Sequence, residues 1–334
     1  MRKLSLLVYV TLFLFTHISF AQQKVSPSAI VERFDKAIDA IIKKDAIVEV
    51  IADSFDWVEG PVWIESEKML LVSDIPKNSI YKWTAEKGKE LYLKPSGYTK
   101  GQPRVGETGS NGLAVNSKSE LVLCQHGNRG IAIMKAPINA PVAEFTILAD
   151  NYRGKKFNSP NDLALKSNGD IYFTDPPYGL VKGMDDPGKE IPFQGVYRIS
   201  KGGEVTLLTD TISRPNGIAF FPGEKKLLIA NSDPEKPNWY VYDVDKNGLL
   251  QNGKIFYDGT EAYKEENRPP DGIKIDDKGN VFAIGPGGVW IFNKSGTALG
   301  RIKANITTSN CAFADNCKTL FITADDYLLK INMR

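Results

Sequence analysis

Six short segments of the sequence begin with a residue that carries a side-chain oxygen, and their types and spacing could support metal chemistry. Each opening leads into an apolar run, a polar turn and a second apolar run. The openings recur every 39 to 55 residues, at Glu59, Asn111, Asn161, Asn216, Asp271 and Asn310. Carboxylate and amide oxygens that meet at one point are the ligands that calcium prefers. The pattern predicts an oxygen-lined site, provided that the fold brings the openings together.

A β-propeller would bring the six opening residues together. One supersecondary unit that recurs at this period is typical of propellers, solenoids and arrays. The runs at 227–230, 281–284 and 320–323 are rich in β-branched and aromatic residues and are bounded by turn residues, which indicates strands. We therefore predict an all-β fold, a six-bladed β-propeller over residues 47–334, in which the matching residue of each blade lies at the mouth of one central channel.

The two ends of the chain are expected to close this ring. Residues from Asn310 onward suffice for three strands, whereas a blade usually has four. The segment 47–51 is a predicted strand without a local partner, so we expect it to supply the outer strand of the sixth blade. Closure of this kind removes the open sheet edges that would otherwise promote aggregation.

Two segments before the ring have other predicted roles. Residues 1–21 have a basic start, an apolar stretch and a small-x-small cleavage site at 19–21, which indicates a signal peptide and a periplasmic or secreted protein without a membrane anchor after cleavage. In residues 22–46, apolar residues such as Ile30, Phe34 and Ile38 recur at helical spacing. We predict a short N-terminal helix there, an appendage that packs against the ring.

Charge and cysteines exclude several classes of protein. Without residues 1–21 the chain carries 40 acidic and 40 basic residues, and no basic cluster offers a face to nucleic acid. The three cysteines match no zinc motif. Cys311 and Cys317 flank a predicted tight turn and could pair in an oxidising compartment, but a core of this size needs no disulfide. The sequence is silent on the oligomeric state.

Four of the openings form the predicted metal site. Glu59, Asn161, Asn216 and Asp271 supply two carboxylates and two amides, which suit one divalent cation. Calcium is the expected ion, with magnesium, manganese and zinc as alternatives. A single Asn-Gly or Asp-Gly at the start of a strand is ordinary turn chemistry. Six such residues in register favour the metal site over the turn interpretation.

The same motifs resemble those of a known family. Glu59-Gly-Pro-Val-Trp, Asn158-Ser-Pro-Asn-Asp, Pro215-Asn-Gly and Pro270-Asp-Gly, in that order, resemble the senescence-marker-protein/gluconolactonase/luciferin-regenerating-enzyme family. Thr174-Asp-Pro-Pro-Tyr-Gly and Cys124-Gln-His-Gly-Asn-Arg are similar to its bacterial gluconolactonase branch. The resemblance implies a six-bladed propeller that holds one divalent cation and hydrolyses sugar lactones. It also implies that Glu59, Asn216 and Asp271 are metal ligands and that Asn161 faces both metal and substrate.

Hydrolysis of a lactone needs a polarised carbonyl and an activated water. Asp271 is the candidate catalytic base, because a ligand carboxylate can also accept a proton from the attacking water; pure metal ligation is the alternative. No Gly-x-Ser-x-Gly motif is present, which disfavours a serine nucleophile.

The predicted substrate contacts each have a structural alternative. Asn111 lies in register with the ligands, but a turn asparagine would look the same. His126 and Arg129 could bind sugar hydroxyls or be ordinary loop residues. The ring of Tyr178 could stack on a sugar face.

The predicted function is metal-dependent hydrolysis of a small-molecule sugar lactone to the aldonic acid. The alternatives are another lactone or ester on the same site, or a non-catalytic propeller that binds sugar or calcium.

Overall fold

The computed structural model describes residues 27–101 and 105–334. Its strands form six antiparallel sheets of four strands, one of which carries a fifth strand, and a separate two-stranded hairpin. The first strands of neighbouring sheets contact each other all the way round a ring. This arrangement is a six-bladed β-propeller with very little helix, which confirms the predicted fold class.

The blades follow one another along the chain, and the first strand of each lies against the channel. Blade 1 comprises Val58–Ile64, Met69–Asp74, Ser79–Thr84 and Gly88–Leu93. Blade 2 comprises Ser110–Val115, Leu121–Gln125, Gly130–Met134 and Phe145–Ala149. Blade 3 comprises Leu163–Leu165, Ile171–Asp175, Gly195–Ile199 and Val205–Thr209. Blade 4 comprises Pro215–Phe220, Lys226–Asn231, Asn238–Val244 and Leu250–Asp258. Blade 5 comprises Ile273–Ile275, Val281–Gly285, Gly288–Phe292 and Ala298–Ala304. Blade 6 comprises Thr308–Ala314, Thr319–Ala324, Tyr327–Asn332 and, from the other end of the chain, Val48–Ala52.

Blade 6 confirms the predicted closure. Val48–Ala52 runs antiparallel to Tyr327–Asn332, with Val48 opposite Ile331. The outer edge of the last blade is therefore covered by a strand that precedes the first blade in the sequence.

The predicted N-terminal helix is wrong for most of its length. Ala29–Arg33 is a strand that pairs with Ala298–Ala304 as a fifth strand of blade 5, and only Lys36–Ala40 forms a short 3-10 helix. The fifth strand satisfies the backbone groups along the outer edge of blade 5. Residues 22–26 and the predicted signal peptide lie outside the described residues.

Apolar packing still explains the spacing that suggested a helix. Ile38 and Ile42 are fully buried in the core shared by blades 5 and 6, whereas Ile30 and Phe34 stay exposed. The apolar residues that recur at helical spacing therefore lie partly in an edge strand and partly around one turn of 3-10 helix.

The remaining core lies between the blades, whose sheet faces pack against one another. Leu71 of blade 1 and Leu113 and Leu123 of blade 2, for example, belong to one buried cluster. The three cysteines are free thiols. Among the residues described, no helix is long and apolar enough to cross a membrane. Two further short helices and the hairpin lie outside the blades, at Gly183–Asp185, Thr260–Glu266, Asn151–Tyr152 and Lys155–Lys156.

Candidate active site at the channel mouth

Hydrogen bonds between neighbouring blades join the six openings into a closed ring. Each bond links a blade to the backbone carbonyl of the next. Around the ring they are Ser73 Oγ to Asn111 O, Gly112 N to Asn161 O, Thr174 Oγ1 to Asn216 O, Ser232 Oγ to Pro270 O, Gly272 N to Ser309 O and Ser309 Oγ to Val58 O, at 2.5 to 2.9 Å. Backbone groups at the starts of all six inner strands are therefore in contact, and the openings converge as predicted.

Glycine permits this close approach. A Cβ atom on Gly60 would lie 1.9 Å from the carbonyl oxygen of Asn111, and one on Gly217 would lie 2.3 Å from that of Asp271. Both distances are far below van der Waals contact. The glycine that follows an opening residue is thus required for the ring to close as tightly as it does.

The register of blade 6 corrects one of the predicted openings. Gly272 N donates to Ser309 O just as Gly112 N donates to Asn161 O, so Ser309 and not Asn310 matches the other opening residues. Asn310 and Asp162 instead occupy the second position, where the other blades have glycine. The sequence carried a signal for this register, because it aligns an alanine at the fourth position of four blades, at Ala114, Ala164, Ala219 and Ala312.

The structure gathers the predicted metal ligands at the mouth of the channel. Glu59, Asn161 and Asn216 are buried, and Asn216 donates a side-chain hydrogen bond to the Asp271 carboxylate. Glu59 Oε2 accepts the backbone N–H of Gly60 at 2.9 Å and a bond from Asn310 Nδ2 at 3.3 Å. One oxygen of Glu59 is therefore held by the protein, and Oε1 is the oxygen left to coordinate a cation.

Negative charge accumulates in this ring. Burial, and then repulsion from the Glu59 carboxylate, raises the pKa of Asp271 well above its usual range. Burial, with a smaller contribution from Asp162, raises the pKa of Glu59 to about 8. The same ring therefore favours either protons or a cation, since both neutralise charges that cannot be solvated.

The donor set fits a divalent cation with hard-oxygen preference. The Glu59 and Asp271 carboxylates repel each other, Asn216 bonds Asp271, and Oδ2 of Asp162, a residue that is 3% exposed, has no hydrogen-bond partner within the described chain. Residues 27–101 and 105–334 contain no cluster of three or more His, Cys, Asp or Glu side chains that could hold a metal ion. The site proposed here differs from such a cluster because half of its donors are amides. The chemistry suits calcium better than zinc.

Glu107 is a site residue that the sequence did not reveal. His126 is fully buried; its Nε2 lies 3.4 Å from Asn111 Nδ2, and its Nδ1 lies 3.2 Å from Glu107 Oε2. The Glu107 carboxylate also acts electrostatically on Glu59 and Asp271. Glu107 comes from an irregular connection between blades 1 and 2 and has no counterpart in the repeat. The predicted substrate contacts Asn111 and His126 are thus brought together beside the ring.

Tyr178 lies at the mouth near Ser232 and Asp271. Its hydroxyl is within hydrogen-bonding reach of Ser232, and burial is the main cause that raises its pKa, with the Asp271 carboxylate adding to the effect. The adjacent Gly179 lies close to Cβ of His126. The loop after the second strand of blade 3 therefore runs across the mouth between His126 and Ser232.

Comparisons with known proteins identify the family of this chain and similar folds. The family model described as the SMP-30/Gluconolactonase/LRE-like region matches residues 57–326. The chain belongs to this family. A gluconolactonase of Zymomonas mobilis is 39% identical over 310 residues, which cover 91% of this chain and 86% of that protein. A solved gluconolactonase from Xanthomonas campestris has a TM-score of 0.77 at 27% identity and covers 94% of this chain and 99% of its own. Regucalcin from Agrobacterium tumefaciens, described as a calcium-binding protein, shares the fold, with a TM-score of 0.65 at 17% identity over 85% of this chain and 93% of its own.

Among the residues that resemblance to the SMP-30/gluconolactonase family suggested for substrate binding, Arg129 is not brought to the ring. Its guanidinium donates to the carbonyl oxygens of Phe157 at 2.6 Å and Gly188 at 2.9 Å. These bonds tie together two loops of blade 3. The structure therefore places Arg129 where it supports the loop that leads to Asn161.

Asp175 supports the same loop from the other side. Its carboxylate accepts the backbone N–H groups of Asn158 and Ser159, both at 2.8 Å, and burial raises its pKa to about 7. Asp74 and Asn231, the last residues of the second strands in blades 1 and 4, likewise accept backbone N–H groups just before the first strand of their own blade. In these three blades, a buried polar residue at the end of the second strand holds the loop that leads into the first strand.

Proposed function

We propose that this chain hydrolyses a sugar lactone to the corresponding aldonic acid, with the help of one divalent cation. The observation that carries the proposal is the buried ring in which Glu59, Asn216 and Asp271 converge. Membership of the family and 39% identity to a gluconolactonase support it. Calcium is the proposed ion because the donors are carboxylate and amide oxygens; magnesium, manganese and zinc are the alternatives to test.

The residues that would hold the cation are Glu59, Asn161, Asn216 and Asp271. When bound, a divalent cation supplies Lewis-acid polarisation of the lactone carbonyl and lowers the pKa of water. Asp271 would accept a proton from the attacking water, since a ligand carboxylate can also serve as a base. The alternative is that Asp271 serves as a ligand alone.

Other residues of the mouth would bind and orient the sugar. Asn111 and His126 present polar groups beside the ring, and the aromatic side chain of Tyr178 is the proposed platform for the sugar. Aromatic faces pack well against the C–H groups of sugars, while amide and imidazole groups bond hydroxyls. A small neutral polyhydroxylated lactone is the substrate class that this combination suits.

We further propose that the protein acts in the periplasm or outside the cell, because residues 1–21 have the features of a signal peptide. Neither nucleic acid nor, after cleavage, a membrane is a proposed partner.

The test is pH-stat hydrolysis of glucono-1,5-lactone after chelation and then after addition of calcium, magnesium, manganese or zinc. We expect proton release above the spontaneous rate only when an ion is restored. Asp271→Ala is expected to lose both turnover and calcium binding, whereas Asp277→Ala, which removes an exposed carboxylate from the same blade, should keep both. Full activity of Asp271→Ala would refute the site. Calcium binding without hydrolysis of any lactone tested would indicate a binding propeller.

A further inference from the structure

The hydroxyl of Ser232 lies between two of the proposed ligands. Ser232 follows the second strand of blade 4 and is 7% exposed. Its Oγ is 2.9 Å from Asn216 Nδ2 and 2.5 Å from the carbonyl oxygen of Pro270, the residue before Asp271. The hydroxyl of Tyr178 also reaches it. Ser232 therefore contacts the side chain of one ligand and the backbone next to another.

The hydrogen-bonding capacity of these groups fixes their orientation. A carbonyl oxygen can only accept, so the single proton of the Ser232 hydroxyl is donated to Pro270 O. The lone pairs of Oγ are then available to accept the N–H of Asn216 Nδ2. An amide whose nitrogen is held in this way turns its oxygen to the opposite side.

We propose that Ser232 is a positioning residue that fixes the amide of Asn216 with Oδ1 directed at the cation. The inference rests on the proposed metal site. It parallels the arrangement at Glu59, where Asn310 and Gly60 hold Oε2 and leave Oε1 to coordinate. Groups that orient a ligand in this manner commonly contribute 10- to 100-fold to metal affinity.

The effect of Ser232 passes through Asn216 rather than through Asp271. The backbone at Asp271 is held independently, because Asp271 N donates to Ile284 O at 3.0 Å and Gly272 N donates to Ser309 O at 2.9 Å. Loss of the bond to Pro270 O therefore leaves Asp271 in place, whereas loss of Oγ leaves the Asn216 amide with only its hydrogen bond to the Asp271 carboxylate.

Blade 1 offers a matched control. Ser73 is also buried, and its hydroxyl also donates to a carbonyl of the next blade, that of Asn111, at 2.8 Å. The same hydroxyl also bonds that of Ser110, which is not a proposed ligand. Ser73→Ala thus removes a similar inter-blade hydrogen bond without removing a side-chain partner of any proposed ligand.

The experiment is calorimetric titration of calcium into the chelated wild type and the variants. Ser232→Ala is expected to weaken calcium binding by about 10- to 100-fold. Ser73→Ala should stay within about 3-fold of the wild type and lose a similar amount of thermal stability. Ser232→Cys keeps the volume, in case the alanine variant fails to fold, and should weaken binding by about 10-fold because a thiol accepts hydrogen bonds poorly.

A double-mutant cycle then tests whether Ser232 affects calcium binding through Asn216. In an Asn216→Ala background, Ser232→Ala should cause no further loss beyond about 2-fold, because the amide that it orients is gone. Independent, additive losses would refute action through Asn216. If the wild type binds calcium and both Ser232 variants match it, this inference alone fails. If the wild type binds none of the four ions, the proposed metal site fails and this inference fails with it.

Discussion

Calcium binding at neutral pH is expected to release protons from the channel mouth. Burial raises the pKa of Glu59 to about 8, so at pH 7 roughly nine-tenths of these carboxyl groups carry a proton in the free protein. Asp271 is shifted in the same direction by burial and by Glu59. Since a ligand carboxylate must be ionised, binding should displace about one proton from Glu59 and up to one more from Asp271.

Calorimetry in buffers of different ionisation enthalpy measures this number directly. At pH 7 the observed enthalpy should vary with the buffer by about one to two protons per calcium, and the affinity should rise by about 10-fold per pH unit for each proton displaced. At pH 9 the contribution of Glu59 should largely vanish. Glu59→Gln should lower the release at pH 7 by about one proton. A release of zero at pH 7, with an affinity that does not change between pH 6 and 8, would refute the electrostatic account of the site.

The same linkage predicts how stability depends on pH. A carboxyl whose pKa is higher in the folded state binds protons more tightly there, so its stabilisation is complete below the unfolded pKa and is lost as pH rises through the folded pKa. Metal-free protein should therefore lose up to about 1.4 kcal/mol of unfolding free energy per pH unit, for each such group, between about pH 5 and 8. Denaturant titrations should show this slope, and saturating calcium should remove it.

Two substitutions test the ring and its N-terminal cover. Gly217→Ala places a Cβ 2.3 Å from Asp271 O and should cost about 1–3 kcal/mol in chemical denaturation and weaken calcium binding, whereas Gly202→Ala, whose Cβ meets nothing closer than 3.7 Å, should change neither. Equal effects of the two would contradict the close approach between blades 4 and 5. Ile38→Ala should cost about 2–5 kcal/mol because the side chain is fully buried, against less than about 0.5 kcal/mol for the exposed Ile30→Ala. Similar losses would show that residues 29–40 do not pack as described.

The repeat made much of the fold and part of the site predictable. Glu59, Asn216 and Asp271 could be found because a residue that recurs once per blade must return to the same place in a closed ring. The fourth strand of blade 6 could be found because the last blade has only three strands in the sequence, and the predicted strand at 47–51 has no local partner.

The errors lie where the repeat is ambiguous or absent. The repeat admits Asn310 as an opening because a shift of one residue leaves another polar residue there; the alanine shared with the other blades and the bond from Gly272 N to Ser309 O select Ser309. Glu107 could not be predicted because its connection occurs once. The apolar residues of 30–42 match a helical period, yet part of that segment pairs as a strand with the outer edge of blade 5.

The strand that closes blade 6 has a consequence for synthesis of the protein. Val48–Ala52 leaves the ribosome early, but its partner Tyr327–Asn332 is made only after the strands of the other five blades. The nascent polypeptide therefore cannot complete its ring until Tyr327–Asn332 has emerged, and closure must wait for pairing between strands that lie far apart in the sequence. Such long-range pairing is slow. The newly made chain consequently spends an interval with exposed strand edges, when chaperones can hold it and proteases can degrade it.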